Sequence, residues 1–378
     1  MPSTDPAPQL TVTTVSDRAA WRGPLLDVRN LSVSFATDEG LVHAVDDLSF
    51  TLDENEVLGI VGESGSGKTV TSLAVLGLLP RTAQVSGEIL FCGRDLLQLD
   101  DKALTTVRGR QVAMVFQDAL AALNPVLTVG SQIAEAIAVH PPAPPAEPPS
   151  KLELEDRVVE LLGLVGIPNP RERAGQYPHE YSGGMRQRAM IAMSIANEPA
   201  VLIADEPTTA LDVTIQAQVL DVLERVRDRT RSSVLLITHD LGVVAGLVDR
   251  VQVMYAGRQA ELGTVEEVFY RPCHPYTQGL LASLPRIDRR TSQRLHRIEG
   301  QPPSLIHVPS GCPFHPRCPR AQVPGVCNQD RPDPAALSLR HLSACHFAED
   351  LLAEHEAAAA GGADAASAAD EAGKEAST

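Results

Sequence analysis

Between residues 62 and 69 the chain reads Gly62-Glu63-Ser64-Gly65-Ser66-Gly67-Lys68-Thr69, the Gly-x4-Gly-Lys-Thr spacing of a phosphate cradle. Glycines let backbone N–H groups come close to phosphate oxygens, Lys68 adds a full positive charge, and the Thr69 hydroxyl can ligate Mg2+. A nucleoside triphosphate is the ligand these residue types fit. A second element of the same chemistry is Asp205-Glu206 at the end of the apolar run Val201-Leu202-Ile203-Ala204. Asp205 suits Mg2+, directly or through water, and Glu206 suits the polarising of a water that attacks the γ-phosphate. A third is Tyr181-Ser182-Gly183-Gly184-Met185-Arg186-Gln187-Arg188, where Ser182 is a good N-cap and two glycines leave backbone N–H groups uncovered, a further anion site. Two phosphate sites in one chain make sense if the second completes the pocket of a partner subunit.

These residues need elements to hold them. Val57-Leu58-Gly59-Ile60-Val61 reads as a short buried strand, and Val70 to Leu79 as an apolar helix stopped by Pro80, so the cradle lies at a strand-to-helix turn. Val201 to Ala204 reads as a second buried strand delivering two acids at its carboxyl end, where ligands bind in open α/β sheets. Ser182 opens a helix running to about Asn197. Alternating apolar runs and amphipathic stretches favour an α/β core with a largely parallel sheet.

The wider composition bounds the rest. The 378 residues are 43% hydrophobic, enough for a substantial core, and a formal net charge of -16 argues against nucleic acid as the main partner. No run of about 18 apolar residues and no export signal occurs, so a chain that neither spans a membrane nor is exported by that route is expected. Residues 1–23 and 351–378 read as disordered tails, and 140–150 as an exposed Pro-rich linker. After residue 271, Pro, Arg and Cys replace strand-like runs.

Taken in order, the motifs resemble the ATP-binding subunit of an ABC transporter across roughly residues 25 to 265. Besides the cradle, signature and acidic strand, Gln117 in Val115-Phe116-Gln117-Asp118 resembles the Q-loop, Ala210-Leu211-Asp212 the D-loop, and His239 in Leu236-Ile237-Thr238-His239-Asp240 the switch histidine. The resemblance implies a nucleotide-binding domain over 24–270, with a P-loop core, an antiparallel β subdomain and a helical subdomain at about 118–200. Two such subunits would dock head to tail, each ATP lying between one P-loop and the facing Ser182-Gly183-Gly184-Met185 turn. Gln117 would touch Mg2+ or the attacking water, its loop facing a membrane subunit, and His239 would contact the γ-phosphate. Phe35 stands where the family places an aromatic that stacks on adenine. Tyr181 and Met185 depart from the commonest signature, but the Ser-Gly-Gly turn is intact.

Val42-His43-Ala44-Val45-Asp46-Asp47-Leu48-Ser49-Phe50, Leu123-Asn124-Pro125 and His274-Pro275-Tyr276-Thr277-Gln278-Gly279-Leu280-Leu281 resemble the ATPases of oligopeptide and dipeptide importers, a group that includes nickel importers. The implied partners are a second ATPase subunit, as a heterodimer, two membrane permeases and, through them, an extracytoplasmic substrate-binding protein. The implied location is the cytoplasmic face of the membrane. A C-terminal extension over 271–350 is expected.

The extension carries Cys312, Cys318, Cys327 and Cys345, with five, eight and seventeen residues between them. Disulfides do not suit a cytoplasmic chain, and a Pro-rich segment with little core gains most from a metal. Zinc sites usually contain a pair of cysteines two to four residues apart, which is lacking, although His315 or His346 could replace one thiolate. Four thiolates also complete a 4Fe–4S cluster, and Gly311-Cys312-Pro313-Phe314-His315-Pro316-Arg317-Cys318 resembles the segment that carries one in some peptide-importer ATPases. Cys92 and Cys273 read as buried or incidental thiols. Rival classes fit less well: the 113 residues between Thr69 and Gly183 hold no sustained heptads for a chromosome-associated ATPase, and no second P-loop occurs.

Overall fold

A computed structural model describes residues 21–140, 148–209, 211–284 and 297–359. Strands β1 (Leu26–Thr37) and β2 (Gly40–Leu52) form a hairpin, β3 (Val57–Val61) leads into α1 (Lys68–Val75), and β4 (Ala83–Phe91) and β5 (Arg94–Asp95) return to the hairpin. The result is an antiparallel sheet in the order β2-β1-β4-β5. After α2 (Asp101–Val107) and β6 (Val112–Val115) comes a helical layer of α3 (Ala119–Ala122), α4 (Val129–Ala138), α5 (Lys151–Leu164), α6 (Pro170–Ala174) and α7 (Gly183–Ser194). Then follow β7 (Val201–Asp205), α8 (Val213–Thr230), β8 (Ser233–Thr238), α9 (Leu241–Leu247), β9 (Arg250–Tyr255) and β10 (Arg258–Thr264). The remainder holds α10 (Val265–Tyr270), α11 (Pro275–Ala282), α12 (Val326–Gln329), β11 (Ala335–Ala336), β12 (Leu342–Ser343) and a helix, α13, over 348–359.

The second sheet runs β11-β12-β10-β9-β3-β8-β7-β6, parallel from β9 to β6 and antiparallel beyond β9. Every residue of β3, β6, β7, β8 and β9 is buried, as both faces of a covered parallel sheet require. Alternation along a strand divides these residues between two cores. Leu58, Ile60, Leu235 and Ile237 pack toward the antiparallel sheet with Leu26, Val28 and Phe91, whereas Val57, Val61, Val234 and Leu236 pack with Leu161, Leu162 and Met190 of the helical layer.

Several expectations are corrected. The first helix is Lys68–Val75, not Val70 to Leu79, because Gly77 adopts φ 60 and turns the chain before Pro80 is reached. The signature helix closes at Ser194 rather than Asn197, whose amide instead donates to the Ala136 carbonyl at 2.8 Å. The segment after 271 is not strand-free, since β12 pairs with β10 and β11 with β12. Nor does a disordered tail start at 351. Residues 348–359 are helical, and Leu351 is buried with Ala348 against Cys273. Residues 1–20, 141–147 and 360–378 of the expected tails and linker lie outside the described residues.

Cys273, expected to be a buried or incidental thiol, is buried. It lies beside Glu261 of β10 and His341, all three buried, and Glu261 Oε1 accepts the Cys273 N–H at 2.6 Å and meets His341 Nε2 at 2.8 Å. This cluster ties the extension to the main sheet. Replacing His341 by Ala leaves the buried carboxyl short of a partner and is expected to lower unfolding stability by about 1–3 kcal/mol, read from the urea midpoint. A midpoint that does not move would mean the tie carries no weight.

Candidate functional site

The cradle begins where β3 ends. A Cβ at Gly62 would lie 2.3 Å from the Met254 carbonyl oxygen, and one at Gly67 would lie 2.3 Å from that of Ala44, with φ 99 at Gly67. Only glycine fits at either place. Lys68 is 5% exposed, and its Nζ donates to the carbonyls of Gly62 and Glu63 at 2.8 and 3.0 Å. Burial lowers its pKa, opposed by the nearby Glu206, Asp205 and Glu63. Its ammonium is thus held at the loop, next to where a phosphate would enter.

The acidic residues lie beside this loop. Thr69 Oγ1 donates to Asp205 Oδ1 at 3.2 Å, so a hydroxyl and a carboxylate, both hard oxygen donors, stand together as Mg2+ coordination favours. Asp205 is 2% exposed, and burial pushes its carboxyl up to about 6, with Thr69 and Lys68 opposing. Glu206 follows at φ 45, a left-handed conformation that a non-glycine residue adopts at a cost, with its N–H fastened to the Ile237 carbonyl at 2.8 Å.

Three side chains converge on the Glu206 carboxylate. Gln117 Nε2 donates to Oε2 at 3.3 Å, Thr209 Oγ1 donates to it at 2.8 Å, and His239 Nδ1 lies 3.3 Å away. Gln117 follows β6, Glu206 follows β7 and His239 follows β8, so the carboxyl ends of three adjacent strands bring them together. His239 remains 57% exposed, open toward any ligand above it. Thr209 was missed from the sequence. Its position three residues after Glu206, in a turn closed by its own N–H to the Glu206 carbonyl, is the signal that marks it.

The signature turn stands apart. Ser182 Oγ accepts the Met185 N–H at 3.3 Å as the N-cap of α7, and among the described residues no hydrogen bond joins 182–185 to 62–69. Gly183 has open space around it apart from Leu211 at 3.9 Å, while a Cβ at Gly184 would lie 2.6 Å from Ile215 Cγ2. Asp212 caps α8 through the Ile215 N–H at 3.0 Å, so D-loop and signature are packed together. Ala210 lies outside the described residues. Phe35 is half-buried against the core between the sheets.

Of the four clustered cysteines, Cys312 and Cys327 are buried and Cys318 and Cys345 half-buried, and the Cys312 N–H donates to the Cys327 carbonyl at 2.9 Å. Cys345 feels Cys312, Cys318 and Cys327, Cys312 feels Cys318 and Cys327, and Cys318 feels Cys327, so every pair interacts electrostatically. Burial pushes Cys312 up to about 11 and Cys345 up to about 12, opposed by the Phe314 and Phe347 N–H groups, with the neighbouring thiols adding a smaller rise. His315 Nδ1 meets the Cys312 carbonyl and His346 Nε2 the Asp330 carbonyl, each at 2.9 Å. A separate group, Glu261, Cys273 and His341, has one ligand atom from each residue within 4.8 Å of the others, a geometry that could hold a metal ion.

Residues 45–209 match the family described as ABC transporter, and residues 260–324 the family described as oligopeptide/dipeptide transporter, C-terminal region. A dipeptide transport ATP-binding protein of Bacillus subtilis is 51% identical over 333 residues, 88% of this chain and 96% of its own. An oligopeptide transport ATP-binding protein of Salmonella typhimurium is 48% identical over 329 residues, 87% of this chain and 95% of its own. Among solved structures, an ATP-binding cassette dimer in a post-hydrolysis state bound to ADP and Pi matches with a TM-score of 0.56 at 25% identity, covering 64% of this chain and 98% of that chain.

The raised Asp205 carboxyl sets a pH dependence. Above about 6 it is anionic and can hold Mg2+; below, protonation removes the charge. Mg2+-dependent nucleotide binding is therefore expected to be about tenfold weaker at pH 5 than at pH 7. Titration of a fluorescent ATP analogue with and without EDTA should show the step only with Mg2+ present, and Asp205→Asn should abolish it.

Proposed function

The chain belongs to the ATP-binding subunits of ABC transporters of the oligopeptide/dipeptide class, and from that premise we propose how its residues energise peptide import. It is an ATPase coupled to transport of dipeptides or oligopeptides. The observation that carries the site assignment is the meeting of Gln117 and His239 on the Glu206 carboxylate, one residue from the Thr69–Asp205 pair.

In this reading the backbone of Gly62, Glu63, Ser64, Gly65, Ser66 and Gly67 cradles the phosphates, and Lys68 turns from the loop carbonyls to the ligand. Thr69, Asp205 and Gln117 hold Mg2+, which neutralises charge on the phosphate oxygens when bound. Glu206 takes the proton of the attacking water, Gln117 and His239 orient that water, and Phe35 stacks on adenine. Ser182, Gly183, Gly184 and Met185 face the nucleotide of a second ATPase subunit, with Asp212 supporting the turn. That requirement makes the isolated chain a weak ATPase.

The complete assembly pairs this chain with a second ATPase subunit, in a heterodimer, and with two permeases that receive solute from an extracytoplasmic binding protein. Among the described residues no helix is long and apolar enough to cross a membrane, and attachment to the permeases would place the chain at the cytoplasmic face. The nucleotide-binding unit spans 24–270 and the extension 271–350. Four thiols, those of Cys312 and Cys327 buried and those of Cys318 and Cys345 half-buried, are the donor set that a 4Fe–4S cluster would take. When bound, it would cross-link a segment poor in core. The two nearby imidazoles already face carbonyl oxygens, which favours the four-thiolate set over a histidine-containing zinc site.

Two measurements test these assignments. In vesicles containing the assembled complex, Glu206→Gln should keep ATP binding while hydrolysis and uptake of labelled di- or oligopeptide fall roughly a hundredfold or more. Unchanged turnover sinks Glu206 as the base, and uptake of nickel in place of peptide moves the chain to the nickel branch. Anaerobically purified protein should contain iron and absorb near about 400 nm. Zinc without iron overturns the cluster.

A further inference from the structure

The extension and the phosphate loop share an ion pair between residues 254 positions apart. Arg317, the neighbour of Cys318, donates Nη1 to Glu63 Oε2 at 2.6 Å and Nη2 to Oε1 at 3.0 Å. The guanidinium is held from its other sides as well. Its Nε donates to the Glu299 carbonyl at 3.0 Å and Nη1 also to the Tyr255 hydroxyl at 3.3 Å, and it lies 5.7 and 5.9 Å from the ring centres of Tyr255 and Phe314. With the Arg317 side chain 5% exposed, this is a fixed two-pronged contact rather than a mobile surface pair. The extension also takes hold of the same residue by its backbone. The Glu63 N–H donates to the hydroxyl of Tyr276, which is fully buried, at 2.9 Å.

Charge makes the contact functional. Glu63 places a carboxylate in a loop whose ligand brings several negative charges and whose other side chains are small or cationic. Left alone, that carboxylate repels the phosphates and competes with them for Lys68, which already feels its field. Arg317 cancels it from the side, leaving the rest of the loop to the ligand.

We infer that Arg317 is a positioning residue for nucleotide binding: by neutralising and fixing Glu63, the C-terminal extension sets the ATP affinity of the loop at 62–69. The inference rests on the ATP reading of that loop and does not require the thiol cluster to be filled. It makes the extension part of the nucleotide site.

The test uses the full-length chain for ATP Kd, by fluorescent nucleotide titration, and the assembled complex for KM and kcat. Arg317→Gln should raise Kd and KM roughly tenfold with kcat within about twofold, and Arg317→Lys should recover part of the loss because an ammonium supplies charge without the fork. Adding Glu63→Gln to Arg317→Gln should return Kd to within about threefold of the native value, since no stray carboxylate remains. A Kd unchanged by Arg317→Gln overturns the proposal. So does a double variant as weak as the single one with an equally lowered Tm, the mark of a residue that only supports the fold. Lys68→Ala separates the premises: if it keeps full ATP binding, the loop's assignment fails whatever Arg317 does.

Discussion

A loop that offers its backbone to phosphate has to be braced by backbone on its other side, and here two carbonyl oxygens do the bracing. Met254 in β9 presses on Gly62, and Ala44 in β2 presses on Gly67. The loop is therefore wedged between the main sheet and the antiparallel sheet, and a single methyl at either glycine would push the two apart. Further bonds hold the wedge closed: the Gly257 N–H to the Ser66 carbonyl at 3.1 Å and the Asp46 N–H to the Gly257 carbonyl at 2.9 Å. The two cores pack against opposite faces of β3, directly beneath this seam.

The acid centre follows the same logic at the level of side chains. Glu206 adopts an unfavourable φ of 45, tolerated because Ile237 fixes its N–H and three side chains hold its oxygen. The local strain is offset by contacts from three strands, so no single contact holds the geometry alone.

What was legible in the sequence was local. The eight residues of the cradle, the strand before it and the acids after a four-residue apolar run declare themselves because their chemistry and their secondary structure coincide within one short segment. The meeting of Gln117, Glu206 and His239 was legible only through resemblance, since nothing in three separated loops fixes their distance. Contacts between distant segments were invisible. Glu261 with His341 and Glu63 with Arg317 pair across 80 and 254 positions, and each residue alone reads as an ordinary surface charge or histidine. The end of α1 went wrong for a different reason: apolar periodicity continues to Leu79, but Gly77 takes a left-handed turn that periodicity cannot express. The two-residue strands β11 and β12 are likewise too short to leave a pattern of their own.

Those two short strands matter for solubility. Without them β10, seven residues long, would present an unpaired ladder along the side of the main sheet, the kind of surface on which another chain can nucleate a strand. The extension covers it with β12 and ends the sheet at β11, a pair of alanines just past Pro332 and Pro334, which have no N–H to donate. A growing aggregate finds little to copy there. Losing the extension would thus change how the protein meets other copies of itself, by opening the side of its main sheet to stacking along that edge.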